Sequence, residues 1–186
     1  RVLSLPAYPF SRKTYWLAAP KPVALHPFAS TQAGTYAFTF TGQEDFLTHH
    51  RVGADIVMPG VCLIELARAA AADFLGQPIA SLHNIAWLEP VRCGSAGFSL
   101  TLTLHRSGDG GAGFQIEQAN RIHCRGEVGL HRVNQPALLA IPSGNAVPEL
   151  AGTDFYRFAA ERGLHLGATY RTLQSIRYLP EARLGR

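Results

Sequence analysis

The sequence predicts an α+β fold in which an antiparallel sheet is wrapped around a central hydrophobic helix. Two observations carry this. Residues 60–75 form one long, nearly all-apolar run with breakers at both ends, and the segments around it alternate apolar and polar residues with the period of a half-buried strand. A helix apolar around nearly its whole circumference must be covered, and a curved antiparallel sheet is what the remaining segments supply.

In chain order, residues 5–16 are a proline- and aromatic-rich extended stretch suited to packing on a neighbour. Tyr36, Phe38 and Phe40 alternate with Ala37 and Thr39, and that strand ends at the Thr41-Gly42 turn. The helix starts at Pro59-Gly60, where proline suits the first turn, and stops at Gly76 with Pro78 beyond. Its polar residues include Glu65 and Arg68. Further strands are expected over 85–91, 98–105, 114–119 and 122–130, with the glycine-rich stretch 107–113 as the turn between two antiparallel neighbours. Phe98, Leu100, Leu102 and Leu104 share one face of their strand, and Ile122, Cys124, Gly126, Val128 and Leu130 share one face of theirs. After Arg132 the chain becomes rich in Pro, Ala, Gly and Ser, and 134–152 reads as a linker. An amphipathic helix over 153–162 follows, with Thr153 or Asp154 as its cap. Residues 170–179 then read as the first strand of another sheet, whose partners are absent and which leaves an apolar face uncovered.

The 186 residues are 47% hydrophobic and 16% charged, which supports a sizeable core and excludes a disordered chain. A formal charge of +4 is modest and comes without a basic run, so nucleic acid is not an expected partner. No run of about 18 apolar residues is present to span a bilayer, no signal peptide is seen, and no Cys/His cluster has metal-finger spacing. The three cysteines, Cys62, Cys93 and Cys124, are odd in number and sit in apolar contexts, as expected of buried free thiols in a reducing, cytoplasmic compartment.

Residues 50–60 carry the chemistry. They read as a histidine on a tight loop followed by a Pro-Gly helix start. Backbone N–H groups at the positive end of such a helix can hold a carbonyl oxygen while the imidazole removes a nearby proton. Asp45 and Asp55, beside the histidine, are read as turn and solvation residues, and His83, His105, His123 and His131 as surface or hydrogen-bonded side chains.

His50, Ala54 and Pro59 reproduce the spacing of the His-x3-Gly-x4-Pro signature that marks the dehydratase domains of modular polyketide synthases, with Ala54 where the family has glycine. Gly53, one residue earlier, can take over the turn that such a glycine serves. Spacing to Pro59 selects His50 over His49. The stretch from Leu5 through Pro9-Phe10 and Arg12 to Tyr15-Trp16 resembles the linker that follows a ketosynthase or acyltransferase in such assembly lines. Gly163, Gly167 and the residues to Tyr170 are similar to the family's Gly-Tyr-x-Tyr-Gly-Pro-x-Phe, with substitutions at Leu164, Leu166, Ala168 and Tyr170.

The resemblance implies a hot-dog fold, and specifically the first half of a double hot dog: 1–21 a post-ketosynthase-type linker, 22–133 the N-terminal hot dog, 134–152 a linker and 153–186 the beginning of the second. It implies elimination of water from a β-hydroxyacyl thioester carried on the phosphopantetheine of an acyl carrier protein, giving the α,β-enoyl thioester. His50 would be the general base, and the N–H groups of Gly60 and Val61 would stabilise enolate-like charge on the thioester oxygen. Leu166 and Tyr170 are candidates for the substrate tunnel. The catalytic aspartate is expected beyond Arg186, with Glu65 as an outside candidate for the acid and otherwise a structural carboxylate held by a backbone donor or by Arg68. Implied partners are the acyl carrier protein, the adjacent ketosynthase or other synthase domains, and a possible second copy as homodimer; no membrane, bound cofactor or metal is implied. Relatives of the same fold also shift double bonds, close rings by oxa-Michael addition or branch carbon chains, and a non-catalytic scaffold module is a further reading.

Overall fold

The structure, a computed structural model, describes residues 29–32, 34–94, 96–131 and 148–177. The linker expected over 1–21 and most of that over 134–152 lie outside these residues. In chain order the elements are β1 (Ala29–Gln32), β2 (Thr35–Phe40), α1 (Asp45–Thr48), β3 (His50–Val52), β4 (Asp55–Val57), α2 (Gly60–Leu75), β5 (Ser81–Trp87) and β6 (Arg92–Cys93). Then come β7 (Phe98–Arg106), β8 (Ala112–Gln118), β9 (Arg121–Gly129), β10 (Glu149–Ala151), α3 (Gly152–Glu161), β11 (Leu164–Leu166), a 3-10 turn at Ala168–Tyr170, and β12 (Ser175–Arg177).

The main sheet has six strands in the order β1-β2-β7-β8-β9-β5, and every recorded pairing is antiparallel. Its inner face is the one the alternation predicts. Tyr36 stands opposite Leu102, Leu102 opposite Ile116 and Ile116 opposite Cys124, so one row of apolar side chains crosses four strands. Leu102, Ile116 and Cys124 are fully buried. Burial of this kind stabilises by roughly 1.5–3 kcal/mol for each large aliphatic side chain.

Against that face lies α2, packed on β5, β7, β8 and β9. The sheet wraps it from one side. Leu63, Leu66, Ala67, Ala70 and Ala71 are buried at helical spacing, and the alanines let the axis approach the sheet closely. Val61 is 66% exposed and Ile64 is half-buried. Gly76 ends the helix in the left-handed conformation (φ +71°) expected of a glycine C-cap. The Tyr36 hydroxyl donates to Asp73 Oδ2 at 2.8 Å and clips the last turns to β2. Burial, reinforced by the bond and charge of Asp73, pushes that phenol up to about 12.

Three local expectations are corrected. The strand placed at 85–91 runs instead over Ser81–Trp87, with a register break between His83 and Ala86 where Asn84 takes φ +53°, and it stops short of Pro90, which has no N–H to give. No side chain caps α3; Ala151 precedes it, and Asp154 pairs with Arg157 at 2.8 Å instead. The strand placed at 170–179 is shorter and is not without partners. It spans Ser175–Arg177 and pairs antiparallel with Glu149–Ala151, residues the composition assigned to the linker.

The remaining four-stranded sheet, β11-β3-β4-β6, positions the functional residues. At its base Glu44 accepts from the N–H groups of Thr41 and Gly42 and from the Thr41 hydroxyl. Burial alone would raise that carboxyl, but these bonds outweigh it and hold it below the ordinary range. The bonds fix the turn that leads through α1 into β3.

Candidate active site

β3 and β4 form a tight hairpin. Arg51 pairs with Ile56 and Val52 with Asp55, leaving Gly53 and Ala54 as the loop. Gly53 takes φ +61° while Ala54 stays at negative φ, so the glycine one place early supplies the left-handed residue that a two-residue hairpin requires. Ala54 is tolerated for that reason, and its carbonyl accepts from Arg51 Nη2 at 2.7 Å.

The hairpin brings the two ends of the motif together. His50 Nδ1 lies 2.8 Å from the carbonyl oxygen of Val57. A carbonyl only accepts, so the proton of the neutral ring sits on Nδ1 and Nε2 keeps its lone pair. Two residues beyond Val57, Pro59 opens α2, and no side chain caps that helix. The first-turn N–H groups of Gly60 and Val61 therefore supply a positive helix end close to the imidazole.

Between them is a hollow of about 360 Å³. His50, Val57, Met58, Gly60 and Leu63 line one side, and Trp87 with residues 88–91 lines the other. Trp87 Nε1 donates to the Gly60 carbonyl at 3.2 Å. The indole lies so close that a Cβ on residue 60 would sit 2.6 Å from Nε1, so only glycine permits this packing. Glu89 also lines the hollow, but its carboxylate is engaged by Arg121 at 3.2 Å on the surface.

Tyr170 reaches the site from the far end of the chain. Its ring centroid is 5.6 Å from that of His50, edge to face, and its hydroxyl donates to the Phe46 carbonyl at 2.8 Å. Burial, with the Cys62 thiol alongside, pushes the phenol up to about 12, and burial likewise raises Cys62. Leu166 pairs directly with His50 across the β11–β3 ladder but lines a different hollow, with His49 and Arg171. Glu65 stands apart from the imidazole's hollow, held by Arg68 through two hydrogen bonds that lower its carboxyl. Asp55 pairs with Arg92 at 3.0 Å, and the buried His123 is bonded to the Glu89 carbonyl at 3.1 Å. The wall at 87–91 was not singled out from sequence; its signal was Trp87, an aromatic where a strand runs out towards Pro90.

Residues 25–119 match the family model described as polyketide synthase dehydratase domain. The chain belongs to the polyketide synthase dehydratase family. It is 32% identical over 206 residues to polyketide synthase ThaG of Burkholderia thailandensis and 26% identical over 200 residues to polyketide synthase PksM of Bacillus subtilis. These alignments cover 95% and 94% of this chain but only 4% and 5% of those proteins. Among solved structures it is similar to the dehydratase domain of RzxB from Pseudomonas fluorescens, with a TM-score of 0.71, 26% identity, and coverage of 85% of this chain and 61% of that one. A trans-AT polyketide synthase dehydratase domain from Brevibacillus brevis gives a TM-score of 0.67 at 25% identity, covering 85% and 64%. The sheet and helix described above are thus a dehydratase hot dog. Among the described residues of this dehydratase-family chain, no helix is long and apolar enough to cross a membrane, and no group of three or more His, Cys, Asp or Glu is placed to hold a metal ion.

Proposed function

We propose that this chain supplies the base and the carbonyl-binding helix end of a domain that dehydrates β-hydroxyacyl thioesters. The observation that carries the reading is the Nδ1–H bond of His50 to the Val57 carbonyl, which leaves Nε2 as an acceptor in a hollow bounded by the uncapped start of α2. In this reading Nε2 removes the α-proton. The electron pair moves toward the thioester oxygen, where the N–H groups of Gly60 and Val61 stabilise it. The bond from the β-carbon to the hydroxyl then breaks, an acid protonates the departing oxygen, and water and the α,β-enoyl thioester result. Glu89 is occupied by Arg121 and Glu65 by Arg68, so we assign the acid to the part of the dehydratase domain that this chain does not span.

The substrate would arrive on the phosphopantetheine of an acyl carrier protein, with neighbouring synthase domains in the cytoplasm, where the free thiols of Cys62, Cys93 and Cys124 stay reduced. The departures from the family's motifs at Ala54 and over residues 163–170 support a second reading, in which the same base and helix end shift a double bond or assist ring closure without losing water.

The test is His50→Ala in the intact domain, with a β-hydroxyacyl carrier substrate and loss of water followed by mass. A fall of roughly 10²- to 10⁴-fold with unchanged circular dichroism is expected. Undiminished turnover in that variant would overturn the assignment of His50 as the base, and no turnover by wild type would make the module a scaffold. An α,β-to-β,γ shift by wild type without change of mass would select the second reading.

A further inference from the structure

β3 separates two hollows. One, of about 220 Å³, lies behind the strand with His49, Arg51 and His165, and the other, of about 360 Å³, lies on the face where His50 meets the start of α2. The second hollow is unevenly built. Val57, Met58, Leu63 and Val91 are core side chains, none more than 9% exposed, whereas Trp87 stands 53% exposed with its indole seated on Gly60.

The backbone beneath the indole is fixed. Trp87 stands opposite Cys124 in the β5–β9 ladder, the Leu88 N–H donates to the His123 carbonyl at 2.9 Å, and the Glu89 carbonyl accepts from His123 Nδ1 at 3.1 Å. At the other end of this wall the Val91 carbonyl accepts from the Met58 N–H at 2.9 Å, which ties it to the side it faces. The indole is therefore the movable part. It is held by the bond from Nε1 to the Gly60 carbonyl at 3.2 Å and by its contact on residue 60. A Cβ there would lie 2.6 Å from Nε1 and 3.1 Å from each of Cδ1 and Cε2, so the ring leaves no space for a methyl group at the head of α2.

The same exclusion reaches the substrate. Dehydration requires one α-hydrogen at Nε2 of His50 and the carbonyl oxygen at the N–H groups of Gly60 and Val61, which puts the α-carbon between the imidazole and the head of the helix. Its second α-substituent then points away from His50, toward the wall that Trp87 begins. A hydrogen fits beside a ring already in contact with residue 60; a methyl group must displace that ring. We propose that Trp87 is a specificity-determining residue that favours β-hydroxyacyl thioesters unbranched at the α-carbon, its latched indole filling the space an α-methyl group would need. The inference rests on the dehydratase reading above, because that reading fixes where the α-carbon lies. Displacing the ring breaks one hydrogen bond and opens a half-exposed contact, so the selection is about tenfold and not absolute.

The experiment compares kcat/KM of the intact dehydratase domain for a β-hydroxybutanoyl pantetheine thioester and for its α-methyl counterparts, taking the better epimer. Wild type is expected to favour the unbranched substrate about tenfold. Trp87→Leu should bring the two values close together, and Trp87→Phe, which keeps an aromatic wall without the Nε1 donor, should fall between. Leu88→Ala trims another exposed residue of the same hollow and should leave the wild-type ratio in place. Wild type indifferent to the methyl group, an unchanged ratio in Trp87→Leu, or equal relaxation by Leu88→Ala would each overturn the proposal. A second measurement needs no turnover: in the His50→Ala background, the affinities of the two planar enoyl products should differ about tenfold with Trp87 in place and converge in Trp87→Leu. Equal affinities, or no binding of either product, would sink the filter. Failure of wild type to dehydrate either substrate, with the difference in affinity intact, would instead sink the dehydratase reading and leave the indole as the filter of the acyl group.

Discussion

His49 and His50 are neighbours in sequence and opposites in chemistry. Both rings are fixed through Nδ1, but His50 faces an acceptor, the Val57 carbonyl, whereas His49 faces the Thr169 N–H and lies 2.7 Å from the Thr169 hydroxyl. The first partner puts the ring proton on Nδ1 and frees a basic Nε2; the second puts it on Nε2 and makes that nitrogen a donor. A histidine's identity therefore says little about its capacity as a base. The backbone group that meets its other nitrogen decides, and here that group is set by the β3–β4 hairpin for one ring and by the Gly167–Thr169 turn for the other.

The largest effect that separates the two faces is catalytic. On the proposed function, His50→Ala should cost roughly 10²- to 10⁴-fold in turnover of a free pantetheine substrate, and His49→Ala no more than a few-fold, because only the first would remove the base from the hollow beside α2. Long-range 1H–15N correlation spectra at neutral pH should show His50 as the Nδ1–H tautomer and His49 as the Nε2–H tautomer. The same tautomer at both positions would break the comparison whatever the kinetics.

Each face is also built around a glycine with no room for a methyl group. A Cβ on Gly167 would lie 2.5 Å from the His49 ring, and one on Gly60 would lie 2.6 Å from the Trp87 indole nitrogen. The neighbours differ in their freedom to yield. His49 is tied at its own carbonyl to the Gly167 N–H (2.8 Å) and through its ring to Thr169, whereas Trp87 is 53% exposed and can swing outward. Gly167→Ala should therefore destabilise by about 1–3 kcal/mol, read from urea midpoints, with the larger loss of Tm. Gly60→Ala should cost less stability but more activity, since the displaced indole is a wall of the hollow. Equal losses of both kinds in the two variants would mean that the faces are not independently built.

Much of this contrast was legible in the chain. Pro59-Gly60 and Gly76 marked both ends of α2 because prolines and glycines act locally, and the alternation of Tyr36, Phe38 and Phe40 marked the inner face of β2 because a pleated strand has period two. Spacing to Pro59 singled out His50, and Gly53 was available for the turn that Ala54 could not serve. What stayed hidden depends on long-range register. β11 and β12 are three-residue strands with no periodicity of their own, defined by pairing with β3 and with β10 inside an apparent linker. Trp87 reaches Gly60 only because β5 breaks register near Asn84, a left-handed residue that nothing in the local pattern requires. The hollow behind β3 joins that strand to α3 and β11, which come far later in the chain.

The smallest expected effect joins the two faces at Tyr170, which follows the His49 turn yet stacks edge-on to His50. Tyr170→Phe keeps the ring contact and removes the hydroxyl bond to the Phe46 carbonyl, a loss of roughly 0.5–1.5 kcal/mol. Its pH dependence has a definite sign. The phenol titrates near 10 when unfolded and is pushed up to about 12 in the folded protein, chiefly by burial and then by Cys62, so folding favours the neutral form. The associated stability is fully present below about pH 10 and is lost as pH rises through 12. Tyr36, raised to about 12 by burial and Asp73, loses stability over the same window. Wild type should thus fall steeply in urea midpoint between about pH 10 and 11.5, and Tyr170→Phe should fall less steeply because only Tyr36 of the pair still titrates. Parallel slopes would show that the Tyr170 hydroxyl is not sealed between the faces, and that the link between the His49 turn and the His50 site runs through the ring contact alone.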